Sequence, residues 1–192
     1  MDAAYTILSA FGLAAAAGLN AYIPLLAVAL LARFTDWVQL APPYDALAHP
    51  AIIGLLAALA LIEFLADKIP AVDAVNDLVQ TVVRPAAGAI LFGAQTGAIR
   101  ELHPVLALAC GLLIAGGIHG LKATFRRAVQ ASAPPLAPLT TPLLSVLEDL
   151  ASLALSLIAL LAAWLILAGV ILIAVVWLRR ARREAARRAL NR

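Results

Sequence analysis

Glu63 and Asp67 stand four residues apart at the end of a long apolar run, Ala51 to Ile62. Helical spacing puts both carboxylates on one face, and Lys68, directly after, can neutralise one of them. Charge at bilayer depth costs a few kcal/mol or more per residue, so such groups face a bundle interior or a wet cavity and have partners. Other polar groups break apolar stretches in the same way. Asn20 lies within Gly18-Leu19-Asn20-Ala21-Tyr22-Ile23-Pro24, and Asp77 follows Asp73 by one turn. His119, Lys122 and Arg126 share a face at spacings of 3 and 4, with Arg127 next in line. Ser145, Asp149, Ser152 and Ser156 form a stripe at spacings of 4, 3 and 4, with Glu148 beside it.

These oxygen and nitrogen donors suit a proton relay or ion-coupled transport. Glu63, Asp67, His119, Glu148 and Asp149 would also suit a divalent cation, but no two sit at a diagnostic ligand spacing, so a metal is left open. No Ser-His-Asp or Cys-His constellation, HExxH pair or phosphate-cradling glycine loop is present. The motifs therefore point away from an enzyme, with lipid handling or a membrane-bound enzyme left as an alternative, and no cofactor is expected.

The elements that position these groups are membrane helices by composition. Hydrophobic residues make up 64%, charged residues 13%, and the mean hydropathy is +0.99; a soluble domain is roughly half apolar and a quarter charged. The net charge of +3 conceals a split, because Arg179–Arg192 holds seven Arg and one Glu, about +6, against about −3 for the rest. A basic cluster directly after an apolar helix is a positive-inside anchor and not a nucleic-acid site. The expected layout is a helical transmembrane domain over 1–178 and a basic cytoplasmic tail over 179–192. Cys110, the single cysteine, excludes an intrachain disulfide and reads as a packing residue. The start Met1-Asp2, with no basic run, does not resemble a cleaved signal peptide.

Five segments follow along the chain. The first, Ala4–Phe34, is broken around Gly18–Pro24, and broken helices in membranes often mark binding sites. The second is Ala51–Asp67, after a loop with Trp37 and Tyr44 suited to an interfacial belt. The third, Val72–Ala98, is one helix kinked near Pro85, its first half amphipathic and expected to lie at the interface or line a cavity. The fourth runs from Val105 to about Ala131, and Ala131–Pro142 reads as a proline-rich linker. The fifth, Leu143–Leu178, carries the serine–aspartate stripe toward the bundle interior and then becomes apolar all round. The pairs Gly93/Gly97 and Gly116/Gly120 permit close helix contact, including a homo-oligomer. Five spans with the tail inside place Lys122, Arg126 and Arg127 outside, against the positive-inside rule, so those cations need acidic partners or an anion, or one segment is re-entrant.

A weak internal repeat also shows. Gly54-Leu55-Leu56 leading to Glu63 and Lys68 parallels Gly111-Leu112-Leu113 leading to His119 and Lys122, and each is followed by an acidic helix, Val75–Leu78 and Leu147–Leu150. Twelve of the fourteen basic residues are Arg; the two lysines occupy the corresponding places. The same stretches carry a resemblance: Gly18–Pro24, Glu63-Phe64 with Ala66–Pro70, Asp73 and Asp77, Arg84-Pro85 with Gly88-Ala89, Gly116-Gly117 with His119 and Lys122, and Glu148-Asp149. The chain resembles a family of small bacterial integral-membrane proteins known as domain of unknown function 4126. The resemblance implies an inner-membrane helical protein with these motifs as its signature, and no established activity.

The expectation is an all-α polytopic bundle of about five spanning segments in the bacterial inner membrane, its C-terminus cytoplasmic. It carries an ion or small solute through a polar centre formed by Asn20, Glu63, Asp67, Lys68, Asp77, His119, Lys122, Glu148 and Asp149. Two rivals stand beside it: an accessory or scaffold protein whose charges only lock the bundle, and a protein that binds anionic lipid at Lys122, Arg126 and Arg127. The expected surroundings are a lipid bilayer and an ion or small solute, with no nucleic acid.

Overall fold

The structure, a computed structural model, describes residues 3–96, 102–132 and 137–190. Among these, six α-helices and one short 3₁₀ turn occur, with no strand. They are α1 (Ala3–Leu19), α2 (Tyr22–Phe34), the turn Tyr44–Ala48, α3 (Pro50–Ala66), α4 (Pro70–Thr96), α5 (Pro104–Ser132) and α6 (Ala137–Leu190). Two compact units arise, residues 1–160 and 161–192.

The helix boundaries follow local chemistry. The break in the first segment falls at Asn20-Ala21, as the Gly-Asn-Pro pattern predicts. Pro24 sits in the first turn of α2, where no amide bond is lost. His49 caps α3 by accepting from the amide of Ala51, with Pro50 at the first helical position. Pro70 opens α4, two residues before the expected start at Val72. That helix runs on across Pro85. The expected linker is shorter than its proline content suggests: α6 begins at Ala137 and takes Pro142 inside it, while 133–136 lie outside the described residues. Gly97 and the side chain of Asp73 lie outside them too.

Among the described residues, two helical stretches are long and apolar enough to cross a membrane, Pro104–Ser132 and Leu139–Leu161 within α6. The other expected spans fall short for two reasons. α1, α2 and α3 have 17, 13 and 17 residues, below or at the edge of the length a bilayer needs. α4 is long enough, but the part before Pro85 carries Asp73, Asp77 and Arg84.

α1, α4 and α5 pack together, with α2 joining α3 and the 3₁₀ turn. The main core includes Leu13, Ala17, Leu25, Val28, Leu56, Leu91, Ala115 and Leu160, drawn from all six helices. α4 and α5 cross backbone to backbone at Gly88 and Gly111: a Cβ on Gly88 would overlap Ala115, and one on Gly111 would overlap the carbonyl of Gly88. Gly93 is filled by the ring of Tyr44 from the same chain, whereas Gly120 faces open space.

Candidate functional site: a polar centre at a broken helix

The gap between α1 and α2 leaves helix-end amides and carbonyls that need partners, and the chain supplies them with side chains. Asn20 Oδ1 accepts from the amides of Tyr22 and Ile23, both at 3.0 Å. The carbonyl of Leu19 accepts from Lys122 Nζ at 2.9 Å, and that of Ala16 from Ser152 Oγ at 2.9 Å. A lysine at the carbonyl end of a helix also complements its dipole. Asn20 Nδ2 donates to Asp149 Oδ1 at 2.9 Å, so one amide side chain both caps α2 and ties the break to α6. Ser145, Ser152 and Ser156 are fully buried, so the serine–aspartate stripe faces inward as its spacing predicts.

Three ionic groups surround this junction. In the first, Arg84 Nη2 donates to Glu63 Oε1 at 3.0 Å, and Arg84 Nη1 lies 2.9 Å from His119 Nδ1. Arginine only donates, so Nδ1 accepts and the ring proton is on Nε2. That proton points to Thr81 Oγ1, 3.3 Å away, which donates onward to the carbonyl of Asp77. Asp77 also lies 3.8 Å from Arg84 Nη1. Glu63 and His119, matched in the internal repeat, thus meet on one guanidinium.

In the second group, Glu148 sits between Lys122 and Arg126. Its Oε2 is 3.0 Å from each cation, and its Oε1 accepts from Arg126 Nε at 3.0 Å. The Oε2 contacts are charge proximity, the Oε1 contact a directed hydrogen bond. In the third, Lys68 Nζ donates to Ser145 Oγ at 2.8 Å, lies 3.8 Å from Asp149 Oδ2 and sits 4.0 Å over the ring of Phe64. Asp67 accepts from Asn76 at 2.7 Å and from Ser145 at 3.4 Å.

Asn20, Glu63, Asp67, Lys68, Asp77, His119, Lys122, Glu148 and Asp149 therefore all belong to this buried system. One expectation changes in detail. The ion-pair partner of Lys68 is Asp149 on α6, while Glu63 takes the guanidinium of Arg84. Lys122 and Arg126 are buried against Glu148, an acidic partner of the kind their position calls for, and Arg127 is exposed. Adjacent helical residues point about 100° apart, so Arg126 and Arg127 cannot share a partner face. Among the described residues, no three His, Cys, Asp or Glu side chains converge on a point that could hold a metal ion.

Arg84 is the participant that sequence reasoning missed. A signal was present: Asp77, Gln80, Thr81 and Arg84 recur at spacings of 3, 1 and 3, one polar face of α4. Several buried polar atoms have no hydrogen-bond partner in the described chain: Glu63 Oε2, Gln80 Oε1, Asp149 Oδ2 and Arg84 Nε.

The signature of a class is complete at this point: a helical bundle with a broken first segment closed by buried charges. The chain belongs to the family described as domain of unknown function DUF4126, which matches residues 7–183. No curated protein and no solved structure shows detectable similarity to it.

Proposed function

We propose that this chain is a multi-pass membrane protein that carries an ion or small solute through the polar centre at the α1–α2 break. The observation that carries the reading is an inverted α4. Its Gln80 and Arg84 are 1% and 0% exposed, whereas Leu78 and Val82 on the opposite face are 74% and 72% exposed. Water would favour the reverse arrangement, and a hydrocarbon surround favours this one. The short helices α1, α2 and α3 are then bilayer elements by association with α4, α5 and α6. The basic stretch from Arg179 supports a cytoplasmic C-terminus in a bacterial inner membrane, by the positive-inside rule.

Transport is favoured by where the charges gather. Broken helices at membrane depth recur at the sites of secondary transporters. Here Glu63, Asp67, Asp77, Glu148 and Asp149 face Lys68, Arg84, Lys122 and Arg126, one carboxylate more than the cations, with acceptor oxygens free on Glu63, Gln80 and Asp149. A buried acceptor without a partner calls for a proton, ion or water. The rival, an accessory protein whose charges only lock the bundle, is favoured by the fully buried Arg84–Glu63 pair.

Asp149→Asn separates the two. The amide keeps an oxygen for Asn20 and removes only the charge. A transporter variant melts near wild type in detergent and loses flux in proteoliposomes. Wild-type liposomes passing no ion under any imposed cation, anion or proton gradient would remove the transport reading.

A further inference from the structure

Glu63 and Gln80 are each 1% exposed, and each carries an oxygen that receives no hydrogen bond among the described residues, Glu63 Oε2 and Gln80 Oε1. The fold brings both to one guanidinium. Gln80 stands one turn before Arg84 on the buried face of α4, and Arg84 Nη2 holds the other Glu63 oxygen at 3.0 Å. Tyr22, the first residue of α2, has its hydroxyl beside Gln80 and in the field of Glu63 and Arg84. The capped break at Asn20 thus delivers a phenol to the same spot.

The charged groups around Glu63 come from three helices. Arg84 of α4 is in direct contact, and Asp67 lies one turn on at the end of α3. Lys122 of α5 acts through its charge alone and is paired with Glu148. His119 of α5 meets Arg84 as a neutral ring. Asp77 of α4 stands 3.8 Å from Arg84 Nη1, with its side chain 32% exposed.

Two carboxylates therefore share one guanidinium, one fully buried and one wetter. The wetter group keeps its charge at low cost, and the buried one does not. A water molecule would donate to Glu63 Oε2 but leave the surplus charge in place. A metal ion needs a shell of several oxygens and would stand against the guanidinium, which repels it. A proton needs one oxygen and no cavity. It removes the surplus charge, and the resulting carboxylic acid is a donor, which is what Gln80 Oε1 lacks. Arg84 stays paired in both states: with Glu63 and Asp77 when Glu63 is ionised, and with Asp77 when it is not.

We propose that Glu63 takes up and releases a proton at Oε2, and that this proton is the ion carried through the centre. The assignment deepens the transport reading above and, for the carried ion, rests on it. In the loaded state the new O–H on Oε2 donates toward Gln80, while Oε1 keeps its bond from Arg84. On release the proton passes to water, and the carboxylate regains its negative charge against Arg84.

The test is infrared difference spectroscopy of the full chain in detergent, acid against alkaline. The carbonyl stretch of a protonated carboxylic acid should appear on acidification, move with ¹³C-glutamate labelling and be lost in Glu63→Gln. That variant keeps an oxygen for Arg84 and the neutral charge of the loaded state. Gln80→Met should shift the glutamate band to that of a more weakly hydrogen-bonded acid, a change that a merely structural glutamine would not cause. If Glu63→Gln misfolds, the Gln80→Met shift decides alone. A glutamate band that persists in Glu63→Gln, or no such band at any pH at which the fold survives, would overturn the proposal. Proteoliposomes read transport separately. In buffer without sodium or potassium, the wild type should pass protons down an imposed gradient, and Glu63→Gln should lose that flux. The Glu63 band with no flux of any ion removes the transport reading and leaves the proton site. Flux of another ion without the band removes the proton site and leaves transport.

Discussion

Asn20 donates to Asp149 at 2.9 Å across a sequence separation of 129 residues, while its own oxygen receives the first two amides of α2. One side chain thus joins a local cap to a long-range bond, and the two roles can be separated.

Asn20→Ala removes both, and loss of the cap alone costs about 1 kcal/mol. Asn20→Asp keeps an acceptor for the amides but sets a second carboxylate against Asp149. The aspartate variant should melt at or below the alanine variant, and Asp149→Asn should rescue it. If Asn20→Asp melts like wild type in a thermal scan in detergent, capping dominates and the Asp149 bond contributes nothing.

The Arg84–Glu63 pair should behave as a desolvated ion pair. Arg84→Met leaves Glu63 buried without its cation, a loss of about 3–5 kcal/mol. Glu63→Met alone should be similarly costly. The double substitution should recover much of that loss, because it removes both charges together. Additive losses in the cycle would show that the two residues act separately.

The α4–α5 crossing tolerates no added atoms. Gly88→Ala and Gly111→Ala should each lower stability by about 1–3 kcal/mol through overpacking. Gly120→Ala, facing open space, is the matched control and should be neutral or slightly stabilising, since alanine favours helix. Equal effects at all three positions would point to helix propensity and away from a tight crossing.

His119 should be held as one tautomer. Its Nδ1 faces an obligate donor, so histidine ¹⁵N spectra should show the proton on Nε2, directed at Thr81. Thr81→Val should leave that tautomer in place, because Arg84 sets it. Arg84→Met should release it. A protonated Nδ1 in the wild type would contradict the hydrogen-bond chain from Arg84 to Asp77.

Much of this architecture is legible in the sequence because apolar runs and breakers act locally. The gap at Asn20 and the inward stripe Ser145–Asp149–Ser152–Ser156 follow from spacing and residue type. Pairing is not local. Lys68 stands next to Asp67 in the chain, yet its ion pair is with Asp149, since the end of α3 directs the side chain toward α6. Arg84 attracts little notice beside Pro85 until the fold brings Glu63 and His119 to it. The glycines that matter for the helix crossing, Gly88 and Gly111, lie apart from the small-residue pairs, because close approach depends on where two helices meet.

The separations between partners also set an order in time. Glu63 and Arg84 are 21 residues apart, so this pair can close as soon as the α3–α4 hairpin has left the ribosome. Asn20 must wait for Asp149, 129 residues later; at elongation speeds of up to about 20 residues per second, that wait is on the order of ten seconds. Throughout it the start of α2 is capped but not anchored, and the carbonyl of Leu19 gains Lys122 only with α5, 103 residues on. A nascent chain stalled before α6 therefore presents an open seam in its first segment. Synthesis of the last helix seals it, bringing Asp149 to Asn20 and Ser152 to the carbonyl of Ala16.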